Sequence, residues 1–204
     1  MPERPQAVVF DIGRVLIEWD LRCLFAKLID DPEELDWFLV NVVTESWHFR
    51  HDAGEALDKL LPELKAEHPR YAAHIDAYAA RFLETIPGPV PGTAELVERL
   101  AARGVPLYAL TNFAAPFFDE FRPTVPVLEH FRDIVVSGRE KCVKPGARIY
   151  EIAESRFGHS PERLLFIDDS PANIAAAGAR GWQVHLFIDA ARLEADLMAR
   201  GLFG

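Results

Sequence analysis

Ala7-Val8-Val9-Phe10-Asp11-Ile12-Gly13-Arg14-Val15-Leu16-Ile17 is the stretch on which the reading of this chain turns. Four apolar residues run into an aspartate, and a glycine follows two positions later. A continuous apolar run bounded by turn residues is the pattern of a strand buried on both faces of a parallel sheet. Asp11 then sits at the carboxyl end of that strand, where open α/β sheets hold their ligands. Burying a carboxylate alone is costly, so it must be paired, capped or used. One such aspartate fits a helix cap or a loop as readily as a site, and its neighbours have to decide.

Outward from this stretch, residues 12–20 read as a loop with a short apolar flap, Val15-Leu16-Ile17. Residues 20–86 change to helical spacing. Leu21, Leu24, Phe25, Leu28 and Ile29 form one stripe; Leu35, Phe38, Leu39, Val42 and Val43 form the next. Residues 53–64 and 70–85 supply two more, so about four amphipathic helices with no strand signal are expected. Pro87-Gly88-Pro89-Val90-Pro91-Gly92 ends the block, because such a cluster suits neither a helix nor a central strand. Strands at 105–110, 133–137, 163–168 and 182–187 then alternate with helices at 93–103, 114–122, 147–157, 171–180 and 190–200. This alternation predicts an α/β fold, a doubly wound parallel sheet, with 20–86 inserted as a helical cap between core segments 1–19 and 87–204.

The polar residues at the strand ends carry the chemistry. They are Asp11, Thr111-Asn112, Lys144-Pro145 after the third strand, and Asp168-Asp169-Ser170. A parallel sheet brings all of them to one edge. Carboxylates crowded together need a cation to offset their repulsion. A set of oxygen donors without His or Cys suits Mg²⁺. Thr111, Asn112, Lys144 and the backbone N–H groups after Asp11 could hold a phosphate.

Composition narrows the partners. The 204 residues, half of them hydrophobic, make one large domain or a domain with an insertion. With 32 acidic against 22 basic residues the net charge is −10, which argues against nucleic acid or an anionic membrane as the main partner. Cys23 and Cys142 imply no disulfide framework and fit a reducing compartment. The first residues show no signal-peptide pattern and no apolar run has the length of a membrane span, so a cytoplasmic location is expected. No heptad seam marks the helical block, which leaves a monomer or weak homodimer.

The order Asp11…Thr111-Asn112…Lys144-Pro145…Asp168-Asp169 resembles the four motifs of the haloacid dehalogenase superfamily, and the helical insert resembles the cap of its subfamily I. The likeness spans nearly the whole chain and is most similar to the sugar-phosphate phosphatase-like branch and to the phosphatase-like domain of epoxide hydrolases. It implies a phosphatase for a small phosphorylated metabolite, with Asp11 as nucleophile. It further implies Mg²⁺ held by Asp11, the Gly13 carbonyl and Asp169, with Asp168 acting mainly through water. Thr111 and Asn112 would bind the phosphoryl group and Lys144 would neutralise charge.

One position departs from that pattern. Most phosphatases of this resemblance carry a second aspartate two residues after the nucleophile, to protonate the leaving oxygen; here the residue is Gly13. A weakly basic leaving group would need less protonation. Alternatively Glu18, Glu45, His48, His51 or Asp52 substitutes, or the chain is a catalytically weak phosphate-binding or regulatory member. A 2-haloacid dehalogenase of the same fold is a further alternative. Arg14 could touch a substrate anion or lie on the flap surface. Trp37 and Trp47 read as core, Cys142 as an inert thiol, and Asn173 either as a hydrogen-bonding member of the metal-site loop or as a stabiliser of the first helical turn.

Overall fold

The computed structural model describes residues 4–203; Met1–Glu3 of the first core segment and Gly204 lie outside them. Five strands, β1 (Ala7–Phe10), β2 (Leu107–Thr111), β3 (Asp133–Val136), β4 (Leu164–Asp168) and β5 (Gln183–Leu186), form one sheet in the order β3-β2-β1-β4-β5. Every neighbouring pair is parallel. From β1 the chain builds outward to β3 on one side, then returns to β4 and builds outward to β5 on the other. The switch point lies between β1 and β4, and ligands bind at such points.

The continuous apolar runs arise because both sheet faces are covered. Val8, Phe10, Leu107, Ala109, Leu165 and Ile167 belong to one core cluster. Ala7, Val9, Tyr108, Leu110, Leu164 and Phe166 belong to the other. The strict alternation is the period of a strand, with no solvent face to demand polar residues.

The segment between β1 and the proline-rich return holds five α-helices where the periodicity predicts about four. They are α1 (Arg22–Phe25), α2 (Pro32–Asn41), α3 (Glu45–Asp52), α4 (Leu57–Glu67) and α5 (Ala72–Ala80). The stripe from Leu21 to Ile29 yields a single turn, α1, because the chain tightens into three-residue bonds from Lys27 N to Leu24 O (3.1 Å) and Leu28 N to Phe25 O (3.0 Å). Helix α3 has no apolar stripe to announce it. It starts at a Thr44 cap, whose hydroxyl accepts from Trp47 N at 3.0 Å. Trp47 is core as expected, whereas Trp37 is 47 % exposed and stacks on Tyr71 from the surface.

The remaining helices are α6 (Thr93–Ala102), α7 (Ala115–Phe121), α8 (Ser137–Glu140), α9 (Ala147–Phe157), α10 (Pro171–Ala179) and α11 (Ala190–Ala199). The helical segment is not separated from the sheet by a polar seam. Its Phe25, Phe38, Ile75 and Tyr78 share one continuous apolar cluster with Phe10, Phe117 and Ile167. Phe82 stacks flat on Phe117 of α7, with centroids 3.9 Å apart and planes within 4°. No helix of the described residues is long and apolar enough to cross a membrane.

Candidate active site

The β1 backbone delivers Asp11 to the switch point, where its N–H continues the ladder by donating to Ile167 O at 2.8 Å. The Ile12 N–H donates to Asp11 Oδ1 at 2.7 Å, so the chain turns around the carboxylate. Lys144 reaches in from the loop after β3. Its ammonium is 1 % exposed and lies 2.8 Å from Asp11 Oδ1 and 2.7 Å from Asp168 Oδ2. Asp168, the last residue of β4, is fully buried. Besides Lys144 it accepts from Ser170 N at 2.8 Å and from Asn173 Nδ2 at 3.0 and 3.1 Å. Of the two roles open to Asn173, it takes the hydrogen bond within the loop and braces Asp168. Ser170 caps α10 through no side-chain bond; its backbone serves Asp168 instead.

Asp11, Asp168 and Asp169 each offer an oxygen within 4.8 Å of the others. Burial pushes the Asp11 carboxyl up to about 7, with Asp168 adding to the rise and Lys144 opposing it. Burial also raises the Asp169 carboxyl, again helped by Asp168. For Lys144, burial works against the charged form, but Asp11 and Asp168 outweigh it and the ammonium is held above its ordinary range. The cluster has more negative charge than one lysine balances, the condition under which carboxylates hold a hard cation.

Asn112 secures the lysine rather than standing free. Its Nδ2 donates to Lys144 O at 3.0 Å and its Oδ1 accepts from Lys144 N at 2.9 Å. Thr111 is buried at the end of β2, and its hydroxyl has no hydrogen-bond partner. Gly13 is open: a Cβ placed there would meet nothing within 4 Å. Arg14 has a left-handed backbone (φ 58°), pairs with Glu45 of α3 at 2.5 Å, and lies 5.1 Å from the Trp19 ring centre. Cys142 is half-buried, and burial raises its thiol.

A cleft of about 190 Å³ is lined by Asp11, Gly13, Arg14, Asn112 and Asp169 on the sheet side, with Thr111 and Lys144 buried behind it. The helical segment contributes Glu45, His48, Phe49, Asp52 and Phe82. Of the five groups that could substitute for an acid at Gly13, Glu18 and His51 do not line the cleft, and Glu45 is occupied by Arg14. His48 and Asp52 remain. Sequence reasoning missed Ser137, the first residue of α8, directly after β3. Its hydroxyl donates to Asp52 O at 2.6 Å and accepts from Phe113 N at 2.9 Å, joining α3 to the loop after β2. It also missed Tyr78, which reads as an ordinary member of an apolar stripe yet bonds His48.

The same architecture recurs in known proteins. A predicted haloacid dehalogenase-like family hydrolase from Porphyromonas gingivalis superposes with a TM-score of 0.73 over 98 % of this chain and 99 % of its own, at 21 % identity. The family enzyme bt-2542 from Bacteroides thetaiotaomicron, solved in complex with magnesium and inorganic phosphate, superposes with a TM-score of 0.68 over 93 % and 98 %, also at 21 % identity. By sequence the chain is 26 % identical to the sesquiterpene phosphatase astK of Aspergillus oryzae, over 86 % of each protein. The sequence model of haloacid dehalogenase-like hydrolases matches residues 5–181, and the chain belongs to that hydrolase family.

Proposed function

We propose that the protein is a Mg²⁺-dependent phosphomonoesterase that hydrolyses a small phosphorylated metabolite through an aspartyl-phosphate on Asp11. The observation that carries this reading is the buried Lys144 ammonium between Asp11 and Asp168, with Asp169 completing a cluster of three carboxylates at the switch point. The donor set fits a hard divalent cation: it is all oxygen, and its three carboxylates face a single lysine. Asp11, Asp169 and the Gly13 carbonyl would hold Mg²⁺, and Asp168, committed to Lys144 and Asn173, would reach it through water. Bound there, the ion would offset the repulsion between an anionic nucleophile and an anionic phosphate.

The chain's own groups do the rest. An Asp11 oxygen attacks phosphorus in line as the bond to the leaving oxygen breaks. Lys144, fixed by the Asn112 clamp, neutralises charge on the nucleophile and on the transferred group. The unpartnered Thr111 hydroxyl donates to a phosphoryl oxygen. Water then attacks the phosphorus of the aspartyl-phosphate, releasing inorganic phosphate and restoring the Asp11 carboxylate. Arg14, latched to Glu45, stands at the mouth where a substrate anion enters. Residues 20–86 act as a cap over the core formed by 1–19 and 87–204, shielding the reaction from bulk water.

The relative named a sesquiterpene phosphatase and the family enzyme solved with magnesium and phosphate support this reading. Attack on a halogenated carbon needs no cation beside the nucleophile, and Asp169 would repel an anionic haloacid. The test is phosphate release from p-nitrophenyl phosphate and a panel of sugar phosphates, with Mg²⁺ or EDTA. Release that requires Mg²⁺ and disappears in Asp11→Asn is expected. Equal release by the variant contradicts the reading.

A further inference from the structure

His48 is a buried polar side chain on the cap side of the cleft. It is sandwiched between the rings of Trp19 (4.7 Å, 28°) and Phe82 (5.6 Å, 12°). Its Nδ1 lies 2.5 Å from the Tyr78 hydroxyl and its Nε2 lies 3.2 Å from Asp52 Oδ2. Tyr78 is fully buried, and burial, aided by Asp52, holds its hydroxyl well above the ordinary range. That hydroxyl keeps its proton and must spend it, and His48 Nδ1 is the acceptor in reach. With Nδ1 accepting from Tyr78, His48 turns its Nε2 towards Asp52 Oδ2, 3.2 Å away. Tyr78, His48 and Asp52 thus form one contiguous polar relay.

The relay satisfies only one oxygen of its last member. Asp52 is 5 % exposed, lines the same cleft as Asp11, and its Oδ1 is buried without a partner. Around it the cleft is aromatic, with Trp19, Phe49, Phe82 and Phe113. The other charged pair on this wall, Arg14 with Glu45, is already closed on itself. An unpaired carboxylate oxygen in an aromatic pocket is unfavourable until a donor reaches it.

Resting on the phosphatase reading, we infer that Asp52 determines specificity by accepting a hydrogen bond from the leaving group of the substrate. The substrate class is then a phosphate ester of a small alcohol that carries a second hydroxyl or an ammonium, with an apolar face against Trp19 and Phe82. Both donors present the same chemistry to Oδ1. A site built around a buried acceptor discriminates strongly against an analogue that leaves it unpaired.

The test is kcat/KM with Mg²⁺ on two matched pairs: glycerol 1-phosphate against propyl phosphate, and phosphoethanolamine against ethyl phosphate. The first pair probes the hydroxyl and the second the ammonium. The wild-type protein should prefer the donor-bearing member of at least one pair by about tenfold or more. In Asp52→Asn, where the amide oxygen stays on His48 and an N–H₂ replaces the acceptor, that ratio should collapse towards one. A wild-type protein with no preference in either pair overturns the inference without reference to any variant. So does a preference that survives in Asp52→Asn. Failure of the phosphatase reading looks different: no Mg²⁺-dependent release from any of the four esters or from p-nitrophenyl phosphate.

Discussion

Asp11 is asked to be both buried and charged, and its surroundings do not fully support the charge. Its ordinary value of 3.8 applies to the unfolded chain, while burial lifts it to about 7 in the fold. Between those limits the metal-free folded state holds a proton that the unfolded state has released. The stabilisation linked to this group is therefore complete below the lower value and is lost as pH rises towards 7. In EDTA the protein should melt at a lower temperature at pH 8 than at pH 6, and Asp11→Asn should shrink that difference; calorimetry at the two pH values checks it. Added Mg²⁺ should raise the melting temperature more at pH 8 than at pH 6, because proton and cation compete for one carboxylate. Two residues on, Gly13 has the opposite character: open space and no left-handed backbone. Gly13→Asp should fold with little change in melting temperature. It should raise kcat/KM on alkyl phosphates relative to p-nitrophenyl phosphate by roughly ten- to a hundredfold, since only the poorer leaving group needs an acid.

At the scale of elements, the cleft depends on how α3 is held against the loops of the sheet. Phe82 on Phe117 supplies apolar contact, but stacked rings fix no register along a helix. Ser137 does, through its two bonds to Asp52 O and Phe113 N. Ser137→Ala leaves both buried groups without that partner and should cost about 1–3 kcal/mol. Denaturant titration should record that loss, and KM should rise more than kcat falls, because α3 carries His48, Phe49 and Asp52 into the cleft while Asp11 and Lys144 stay on the sheet. Helix α3 was also the element least legible in the sequence. Glu45-Ser46-Trp47-His48-Phe49-Arg50-His51-Asp52 buries two histidines and an aspartate where an apolar stripe would normally lie. A helix whose inward face is polar gives periodicity nothing to detect.

Across the whole molecule, legibility followed burial. Strands β1, β2 and β4 could be read because a parallel sheet covered on both sides requires unbroken apolar runs, and these runs lead to Asp11, Thr111 and Asp168. Asp11, Lys144, Asp168 and Asp169 were therefore visible from order alone. The side-chain commitments inside the cluster were not. Nothing in Thr111-Asn112 says that the amide clamps the Lys144 backbone while the hydroxyl stays free, since both depend on how the loops after β2 and β3 approach. The Tyr78–His48–Asp52 relay was equally hidden, because Tyr78 and His48 lie 30 positions apart and meet only once α3 and α5 are packed.

The most direct measurement of the central claim is rapid-quench mass spectrometry of the Mg²⁺-loaded protein mixed with p-nitrophenyl phosphate. The account predicts one transient phosphoryl group on the peptide containing Asp11, absent from Asp11→Asn and decaying as inorganic phosphate appears. Turnover with no phosphorylated peptide, or phosphorylation at another residue, would contradict it.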